Sequence, residues 1–317
     1  MPIGYRPGMS INDLNDLDLP ELFQELVAGA HLDQLIRLSV DEDLGERGDV
    51  TTLSHPAPES GVSAVIRSRE AGTLAGVPAL DRLLRLHAAR LSWWWSVEDG
   101  DRIEPGEVIC RISGALADLL PVERILLNLL GRLSGVASLT ARYVHAVDDS
   151  PVLICDTRKT TPGYRCLEKY AVRCGGGHLH RIGLYDAFLL KDNHVGGCSP
   201  DEFAARVLAS VRRARAEHEL RFVEVEVDSL AQMEALLGSD PAPDGRIDII
   251  LLDNMTPREL AKAVAWRDAN APLVLLEASG GVTFDSLDSI ARSGVERIAI
   301  GALTHSAVQL DFGLDLE

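Results

Sequence analysis

Residues 156–194 hold an unusual concentration of cationic side chains. Seven lysines and arginines stand there against four acids, which gives the stretch a formal charge of +3 in a 317-residue chain whose formal net charge is −17. Clustered guanidinium and ammonium groups repel one another, so a folded protein keeps them together mainly where an anion binds among them. The stretch therefore predicts a concave basic pocket for a small, multiply anionic ligand. Its cations are Arg158, Lys159, Arg165, Lys169, Arg173, Arg181 and Lys191.

Four of these cations, Arg158, Lys159, Arg181 and Lys191, follow or end two consecutive predicted strands. A clamp for carboxylates or phosphates is the favoured interpretation, because the guanidinium group binds a planar carboxylate through two parallel hydrogen bonds. The alternative is a set of solvated salt bridges with the nearby acids. Lys191 could also form a Schiff base, as in class I aldolases, but its cationic neighbours favour static charge recognition.

The pair His178 and His180 could lie on one face of a strand and hold zinc through imidazole nitrogens. No cysteine or carboxylate completes a recognised ligand spacing in the sequence. An imidazole that hydrogen-bonds an anionic ligand is the competing interpretation.

Carboxylates alternate along a later predicted strand, at Glu224, Glu226 and Asp228, and Asp253 ends the next strand. Such groups at strand ends can hold Mg²⁺ or accept hydrogen bonds from sugar hydroxyls. They can equally pair with the basic cluster, and the sequence leaves both possibilities open. Small-residue turns, EASGGV (277–282) and IGALTHS (300–306), follow the last two predicted strands and could present backbone N–H groups to a phosphate.

Composition narrows the class of protein. Apolar residues make up 46% of the chain and charged residues 25%, which is ordinary for a soluble globular protein. The acidic pI near 4.9 argues against nucleic acid as a partner, and no apolar run is long enough to span a membrane. The five cysteines form no CxxC pair and the N-terminus lacks a secretory pattern. We therefore expect a cytoplasmic protein with free thiols.

The elements that position these residues alternate in a regular rhythm after residue 150. Six apolar, β-branched runs recur at roughly 25–35-residue spacing, with helical patterns between most of them, which predicts a parallel β/α barrel or an open doubly wound sheet. The barrel is favoured because polar residues collect where the strands end and no glycine fingerprint follows the first strand. The runs are 152–155, 187–190, 222–227, 247–252, 272–278 and 297–301.

The first half of the chain is organised differently. Residues 1–20 contain three prolines and little periodicity, as in an arm, and residues 62–116 alternate short β-like runs with turns. We predict an N-terminal arm over 1–20, a smaller α/β domain over 21–121 and a β/α-barrel domain over 122–317.

Ordered motifs give the chain a family resemblance. It contains EDLG and GDVTT (42–52), DGDRIEPGE (99–107), VERILLNLLGRLSG (122–135), DTRKTTPG, LEKYAVRCGGG, KDNH, EVEVDS, LLDNM, EASGG and GALTHS. In this order and spacing they resemble quinolinate phosphoribosyltransferases over about residues 38–312. The resemblance implies a smaller α/β N-terminal domain and an incomplete parallel β/α barrel, assembled at least as a dimer.

The implied reaction transfers phosphoribose from phosphoribosyl pyrophosphate to the ring nitrogen of quinolinate with loss of CO₂, in the presence of Mg²⁺. By resemblance, quinolinate would be held by Arg158, His180, Arg181 and Lys191, with Arg124 reaching in from a partner subunit. Lys159, Glu226 and Asp253 would be catalytic and bind phosphoribosyl pyrophosphate, with the two acids holding Mg²⁺ directly or indirectly. The 5′-phosphate would be bound by Ser279, Gly280, Gly281 and Gly301.

Two positions depart from the family pattern. Leu179 stands where the family has an asparagine before His-Arg, which would remove a polar contact near the substrate, and Tyr164 replaces an aliphatic residue. The alternative function is a sister phosphoribosyltransferase that acts on another ring carboxylate, of the type associated with molybdenum transport. Retention of Arg124 together with Arg158, Arg181 and Lys191 favours the dicarboxylate.

Overall fold

The structure is a computed structural model that describes residues 11–55, 61–195, 197, 199–238 and 245–317. It contains two main sheets, one antiparallel and one parallel, with helices packed around them. Among these residues, no helix combines the length and the apolar run needed to span a bilayer. The described helices are α1 (Ile11–Asp16), α2 (Leu19–Leu26), α3 (Ala30–Leu44), α4 (Val50–Ser54), α5 (Val77–His87), α6 (Leu116–His145), α7 (Arg165–Cys174), α8 (Asp192–Val195), α9 (Pro200–Glu217), α10 (Leu230–Gly238), α11 (Pro257–Asn270), α12 (Phe284–Ala291) and α13 (Ala302–His305).

The strands fall into an antiparallel set and a parallel set. The antiparallel sheet has the order β12-β1-β5-β3, a short β2-β4 pair lies beside it, and the parallel sheet has the order β6-β11-β10-β9-β8-β7. The strands are β1 (Val62–Ser68), β2 (Gly72–Thr73), β3 (Ser92–Trp95), β4 (Arg102–Ile103), β5 (Val108–Gly114), β6 (Leu153–Cys155), β7 (Phe188–Leu190), β8 (Val223–Val227), β9 (Ile249–Asp253), β10 (Leu275–Ser279), β11 (Arg297–Ala299) and β12 (Phe312–Leu316).

The parallel sheet confirms the predicted incomplete β/α barrel. Its strands follow one another around the sheet, and β6 closes back onto β11. A single bridge, Cys155 to His178, adds one more step beyond β6. Within the described ranges no ladder joins that bridge to β7, so the barrel stays open there. All five residues of β8 are buried, as expected for a barrel strand whose outer face is covered by helices and whose inner face packs inside the barrel.

The antiparallel sheet belongs to the smaller α/β domain, yet it includes the end of the chain. β12 pairs with β1 in the register Ala64–Leu316 to Ser68–Phe312. The last strand therefore lies apart from the parallel sheet that precedes it in sequence. The numbered domain boundaries stay a prediction.

Helix starts in the barrel have clear local causes. The side chains of Ser199, Thr256 and Thr283 each accept a hydrogen bond from the backbone three residues later, which begins α9, α11 and α12. Such caps satisfy N–H groups that a first helical turn leaves unpaired. Each helix therefore begins at a defined residue and returns the chain to the amino end of the next parallel strand.

Candidate active site

A cavity of about 770 Å³ lies at the carboxyl ends of the parallel strands. Loops that follow successive strands of one parallel sheet meet at one edge, which is where β/α barrels build their sites. The cavity brings together every predicted site residue except Arg124. These are Arg158, Lys159, His180, Arg181, Lys191, Glu226, Asp253, Ser279, Gly280, Gly281 and Gly301.

One wall of the cavity is cationic. Burial and repulsion from Arg165 lower the pKa of Arg158, and burial and repulsion from Arg158 lower that of Arg181. The Nε atom of Arg158 is buried without a hydrogen-bond partner among the described residues. The guanidinium groups of Arg158 and Arg181 thus lie close enough to repel each other. A bound anion would relieve that repulsion.

Buried acids fix the two segments that carry these cations, one after β6 and one after α7. Asp156 accepts hydrogen bonds from Lys169 Nζ at 2.5 Å and from the His180 N–H at 2.8 Å. Glu168, also fully buried, accepts from Arg132 and from the backbone of Thr161. Lys169 therefore has a structural partner and does not face the cavity, so the basic stretch divides into ligand-facing cations and buried ion pairs.

His180 sits over two buried carboxylates. Its Nε2 lies 2.9 Å from Glu224 Oε2 and 3.2 Å from Glu277 Oε1, and Arg297 Nε donates to Glu277 Oε2 at 2.7 Å. Burial alone would lower the pKa of His180, but Glu277 and Glu224 outweigh it and raise this pKa to about 9. Because two carboxylates face one guanidinium, the cluster retains one extra proton well above neutral pH.

The position of the ring hydrogen decides whether this cluster can hold a metal ion. His180, Glu224 and Glu277 lie close enough for shared ligation. However, the backbone N–H of Arg181 donates to His180 Nδ1 at 2.7 Å, which places the ring hydrogen on Nε2, facing the carboxylates. A protonated Nε2 cannot ligate a metal, so a shared proton is the better account.

His178 does not join this cluster as a ligand. It forms the bridge to Cys155, and burial together with Arg173 lowers its pKa to about 4. The predicted alternative of a His178–His180 zinc pair is therefore not supported among the described residues, because His180 lies against Glu224 and Glu277 and His178 is not in that group.

An acidic wall of the cavity adjoins the cationic one at Lys191. Glu226, at the end of β8, forms an ion pair with Lys191 after β7. Asp253 ends β9 and accepts a hydrogen bond from Asn254 Nδ2 at 2.5 Å. The third acid of the alternating set, Asp228, is exposed and does not line the cavity. Glu226 is therefore paired with a cation, whereas the hydrogen bond described for Asp253 comes from a neutral amide.

Asn254 shapes the junction between the acidic wall and the small-residue turn. Among the described residues, Asn254 is a non-glycine residue with a positive φ, 52°. Its backbone N–H donates to the carbonyl oxygen of Ser279 at 2.9 Å. A Cβ on Gly280 would lie 2.3 Å from Asn254 Oδ1. Glycine is thus required for Asn254 to approach, and the turn after β10 stays close to Asp253.

The turn after β11 is equally crowded against the cationic wall. A Cβ on Gly301 would lie 2.8 Å from Lys159 Cδ. Thr304 Oγ1 donates to the Lys159 carbonyl at 2.7 Å, which ties this turn to the loop after β6. Lys159 is therefore held against the turn after β11, one of the two turns predicted to bind phosphate.

Arg124 lies apart from the cavity of its own chain. It is on α6, its side chain is 64% exposed, and its nearest carboxylate is Glu123 at 3.8 Å. The structure does not bring it together with the other site residues, so its role across a subunit interface stays a prediction.

Sequence reasoning missed the buried layer beneath the site. Asp156 and Glu277 open the motifs DTRKTTPG and EASGG, but the sequence assigned neither of them a role beneath the cavity. Alternation along β8 did indicate Glu224 together with Glu226, but not its pairing with His180. Leu179 and Tyr164, which depart from the family pattern, do not line the cavity, and Leu179 is fully buried.

Comparison with known proteins agrees with this geometry. Residues 49–134 match the family model for the quinolinate phosphoribosyl transferase N-terminal domain, and residues 136–315 match that for the C-terminal domain. The nicotinate-nucleotide pyrophosphorylase [carboxylating] of Mycobacterium leprae is 41% identical over 285 residues, which cover 89% of this chain and 95% of that protein. A probable enzyme of the same name from Bacillus subtilis is 38% identical, over 87% and 90% of the two chains.

Solved structures show the same architecture. The nicotinate-nucleotide pyrophosphorylase of Francisella tularensis matches with a TM-score of 0.80 at 30% identity and covers 96% of this chain and 99% of that one. The enzyme of that name from Ehrlichia chaffeensis matches with a TM-score of 0.79 at 34% identity, over 90% and 98% of the chains. The chain therefore belongs to the quinolinate phosphoribosyl transferase family.

Proposed function

We propose that this protein transfers phosphoribose from phosphoribosyl pyrophosphate to quinolinate, with decarboxylation, to give nicotinate mononucleotide, pyrophosphate and CO₂ in NAD biosynthesis. The observation that carries the proposal is a single cavity with two chemical halves. Arg158, Arg181 and Lys191 form a cationic wall that suits a pyridine dicarboxylate, and Asp253 and the turn at Gly280 line the same cavity.

The cationic wall would bind and orient quinolinate. Its two carboxylates match the two guanidinium groups of Arg158 and Arg181, since each can form a bidentate pair. Held this way, the ring nitrogen can approach C1′ of the sugar, and positioning of this kind supplies much of the rate enhancement in a bimolecular reaction. A monocarboxylate would leave one buried guanidinium without its anion, which favours the diacid as substrate.

The acidic wall suits the sugar half of the reaction. As the bond from C1′ to the pyrophosphate oxygen breaks, positive charge grows on the sugar ring, and the carboxylates of Glu226 and Asp253 can stabilise it. The ring nitrogen then forms the new bond to C1′. In the second step the carboxylate at C2 leaves as CO₂, its electron pair stays on the ring carbon, and that carbon takes up a proton.

Glu226 and Asp253 would also hold Mg²⁺, either directly or through water. Carboxylates at the ends of the neighbouring strands β8 and β9 offer the hard oxygen ligands that this ion prefers, with substrate phosphates completing its shell. When bound, Mg²⁺ would neutralise charge on the pyrophosphate leaving group.

Removal of Mg²⁺ is expected to lower the rate by about two orders of magnitude or more, because the leaving group then carries its full charge. Turnover measured in EDTA and again after Mg²⁺ is restored checks this. Quinolinate binding in the absence of phosphoribosyl pyrophosphate should be unchanged. Full activity in metal-free buffer would contradict a metal role for Glu226 and Asp253.

Glu224→Gln is expected to weaken quinolinate binding about tenfold at neutral pH, because it removes one of the carboxylates that raise the pKa of His180. In the unmodified protein, binding should weaken as pH rises through about 9, where the His180 cluster loses its proton. In the variant the same loss should occur at lower pH. Isothermal titration calorimetry across this pH range checks both, and identical pH profiles would show that Glu224 does not act through His180.

The assembly is a homodimer or a higher homo-oligomer in which Arg124 of one subunit completes the site of the next. The Arg124 side chain on α6 supports this, since it stays exposed and its ion pair within the described part of its own chain is with the adjacent Glu123. Free, buried thiols at Cys110, Cys155, Cys166 and Cys174 support a cytoplasmic location. Neither nucleic acid nor a membrane is proposed as a partner.

The test of the proposed function is turnover with phosphoribosyl pyrophosphate and Mg²⁺ on quinolinate and on nicotinate in parallel. Quinolinate should give equal amounts of CO₂ and nicotinate mononucleotide, and nicotinate should give little product. Efficient use of nicotinate without CO₂ release would indicate a sister phosphoribosyltransferase.

A further inference from the structure

The open margin of the barrel leaves one backbone segment in need of partners. His178 uses its own N–H and C=O on β6, through bonds to Ile154 and Asp156. In an extended strand the next residue directs its N–H and C=O to the opposite side. That residue, Leu179, therefore faces the gap where another strand would continue the sheet.

A side chain from the beginning of the chain fills this gap. Leu179 N donates to Asn15 Oδ1 at 2.8 Å, and Asn15 Nδ2 donates to Leu179 O at 3.2 Å. A primary amide carries both an acceptor and a donor, so it can pair with a backbone N–H and C=O at the same time. Asn15 thus replaces the two hydrogen bonds that a neighbouring strand would make.

The segment around Asn15 is itself held in place. Arg173, on α7, donates through Nη2 to the carbonyls of Asn15 at 2.9 Å and Leu17 at 3.3 Å, and through Nη1 to Gly177 O at 3.2 Å. Leu14 is buried, and Phe23 of α2 packs edge-to-face on Tyr170 with ring centroids 5.3 Å apart. The described part of the predicted arm is therefore docked on the barrel.

The position of this contact links it to the substrate. Leu179 directly precedes His180 and Arg181, which line the cationic wall. Leu179 is fully buried, so unpaired N–H and C=O groups there would destabilise the local conformation. On the proposed function, we infer that Asn15 is a positioning residue for quinolinate binding: the arm fixes the backbone that aims His180 and Arg181.

The expected result for Asn15→Ala is a rise of about tenfold in the KM for quinolinate, because small displacements of binding groups have large effects. The KM for phosphoribosyl pyrophosphate should stay within about twofold, since the hydrogen bonds described for Asn15 go to Leu179 and Arg173. Gln24→Ala, an exposed change on α2, is the matched control and should alter neither constant.

Hydrogen exchange gives a readout that does not depend on activity. In Asn15→Ala the backbone N–H groups of residues 178–181 should exchange faster than in the unmodified protein, whereas those of residues 277–283 should not change. If Asn15→Ala does not fold, Asn15→Ser keeps a polar side chain there and is measured with the same expectations.

Equal rises in both KM values, or unchanged exchange at residues 178–181, would overturn the role of Asn15. An unmodified protein that does not use quinolinate would instead reject the proposed function. The two failures are therefore distinguishable.

Discussion

Arg158→Ala and Lys191→Ala are each expected to weaken quinolinate binding by about a hundredfold or more while the fold stays intact. Truncation of one partner in a desolvated, hydrogen-bonded charge pair typically costs about 2–5 kcal/mol. Both side chains line the cavity, and neither belongs to the buried ion pairs that hold the loop. Calorimetric titration with quinolinate measures the loss, and circular dichroism checks the fold.

The two variants should differ in a second property. Lys191 pairs with Glu226, so its removal leaves that carboxylate without its cation and should also disturb phosphoribosyl pyrophosphate binding. Within the described residues, Arg158 forms no ion pair with Glu226, so its removal should leave phosphoribosyl pyrophosphate binding unchanged. Arg213→Ala serves as the control, because Arg213 forms an exposed ion pair with Glu217 on α9, and such pairs contribute little. Near-normal quinolinate affinity in both site variants would refute the cationic clamp.

Arg124→Ala is expected to inactivate the enzyme almost completely, although Arg124 lies outside the cavity of its own chain. When this variant is mixed with Lys191→Ala under conditions of subunit exchange, each hybrid dimer contains one site with both residues intact. Random exchange should therefore restore roughly a quarter of the original activity, because a two-fold dimer has two equivalent sites.

The interpretation of that mixing experiment requires proof of exchange. Differently tagged subunits that copurify after mixing supply it. Recovery near the expected level would support sharing of the site between subunits. No recovery despite demonstrated exchange would show that Arg124 does not act across an interface.

The sequence was sufficient for much of the site because the fold gathers strand ends. Arg158, Lys191, Glu226 and Asp253 each follow or end a strand whose apolar pattern is clear, and a parallel barrel brings such positions to one edge. The topology alone therefore predicted that these side chains line one cavity. The incomplete barrel itself was implied by resemblance, since strand patterns alone do not show whether a sheet closes.

The layer beneath the site could not be predicted in the same way. His180 meets Glu224 and Glu277 because β8 and β10 bring these carboxylates to the segment after α7, and that approach depends on packing across the whole sheet. Asn15 and Leu179 are far apart in sequence, and no sequence motif predicts the hydrogen bonds between them. The departure from the family pattern at Leu179 does not change the lining of the cavity, because this side chain is buried and does not line it.

A crystal structure with quinolinate and an unreactive phosphoribosyl pyrophosphate analogue tests the central claim most directly. The two carboxylates of quinolinate should lie within hydrogen-bonding distance of Arg158, Arg181 and Lys191, with the ring nitrogen directed at C1′ and the 5′-phosphate at the turns around Gly280 and Gly301. Quinolinate bound elsewhere, with these cations still facing empty space, would contradict the account.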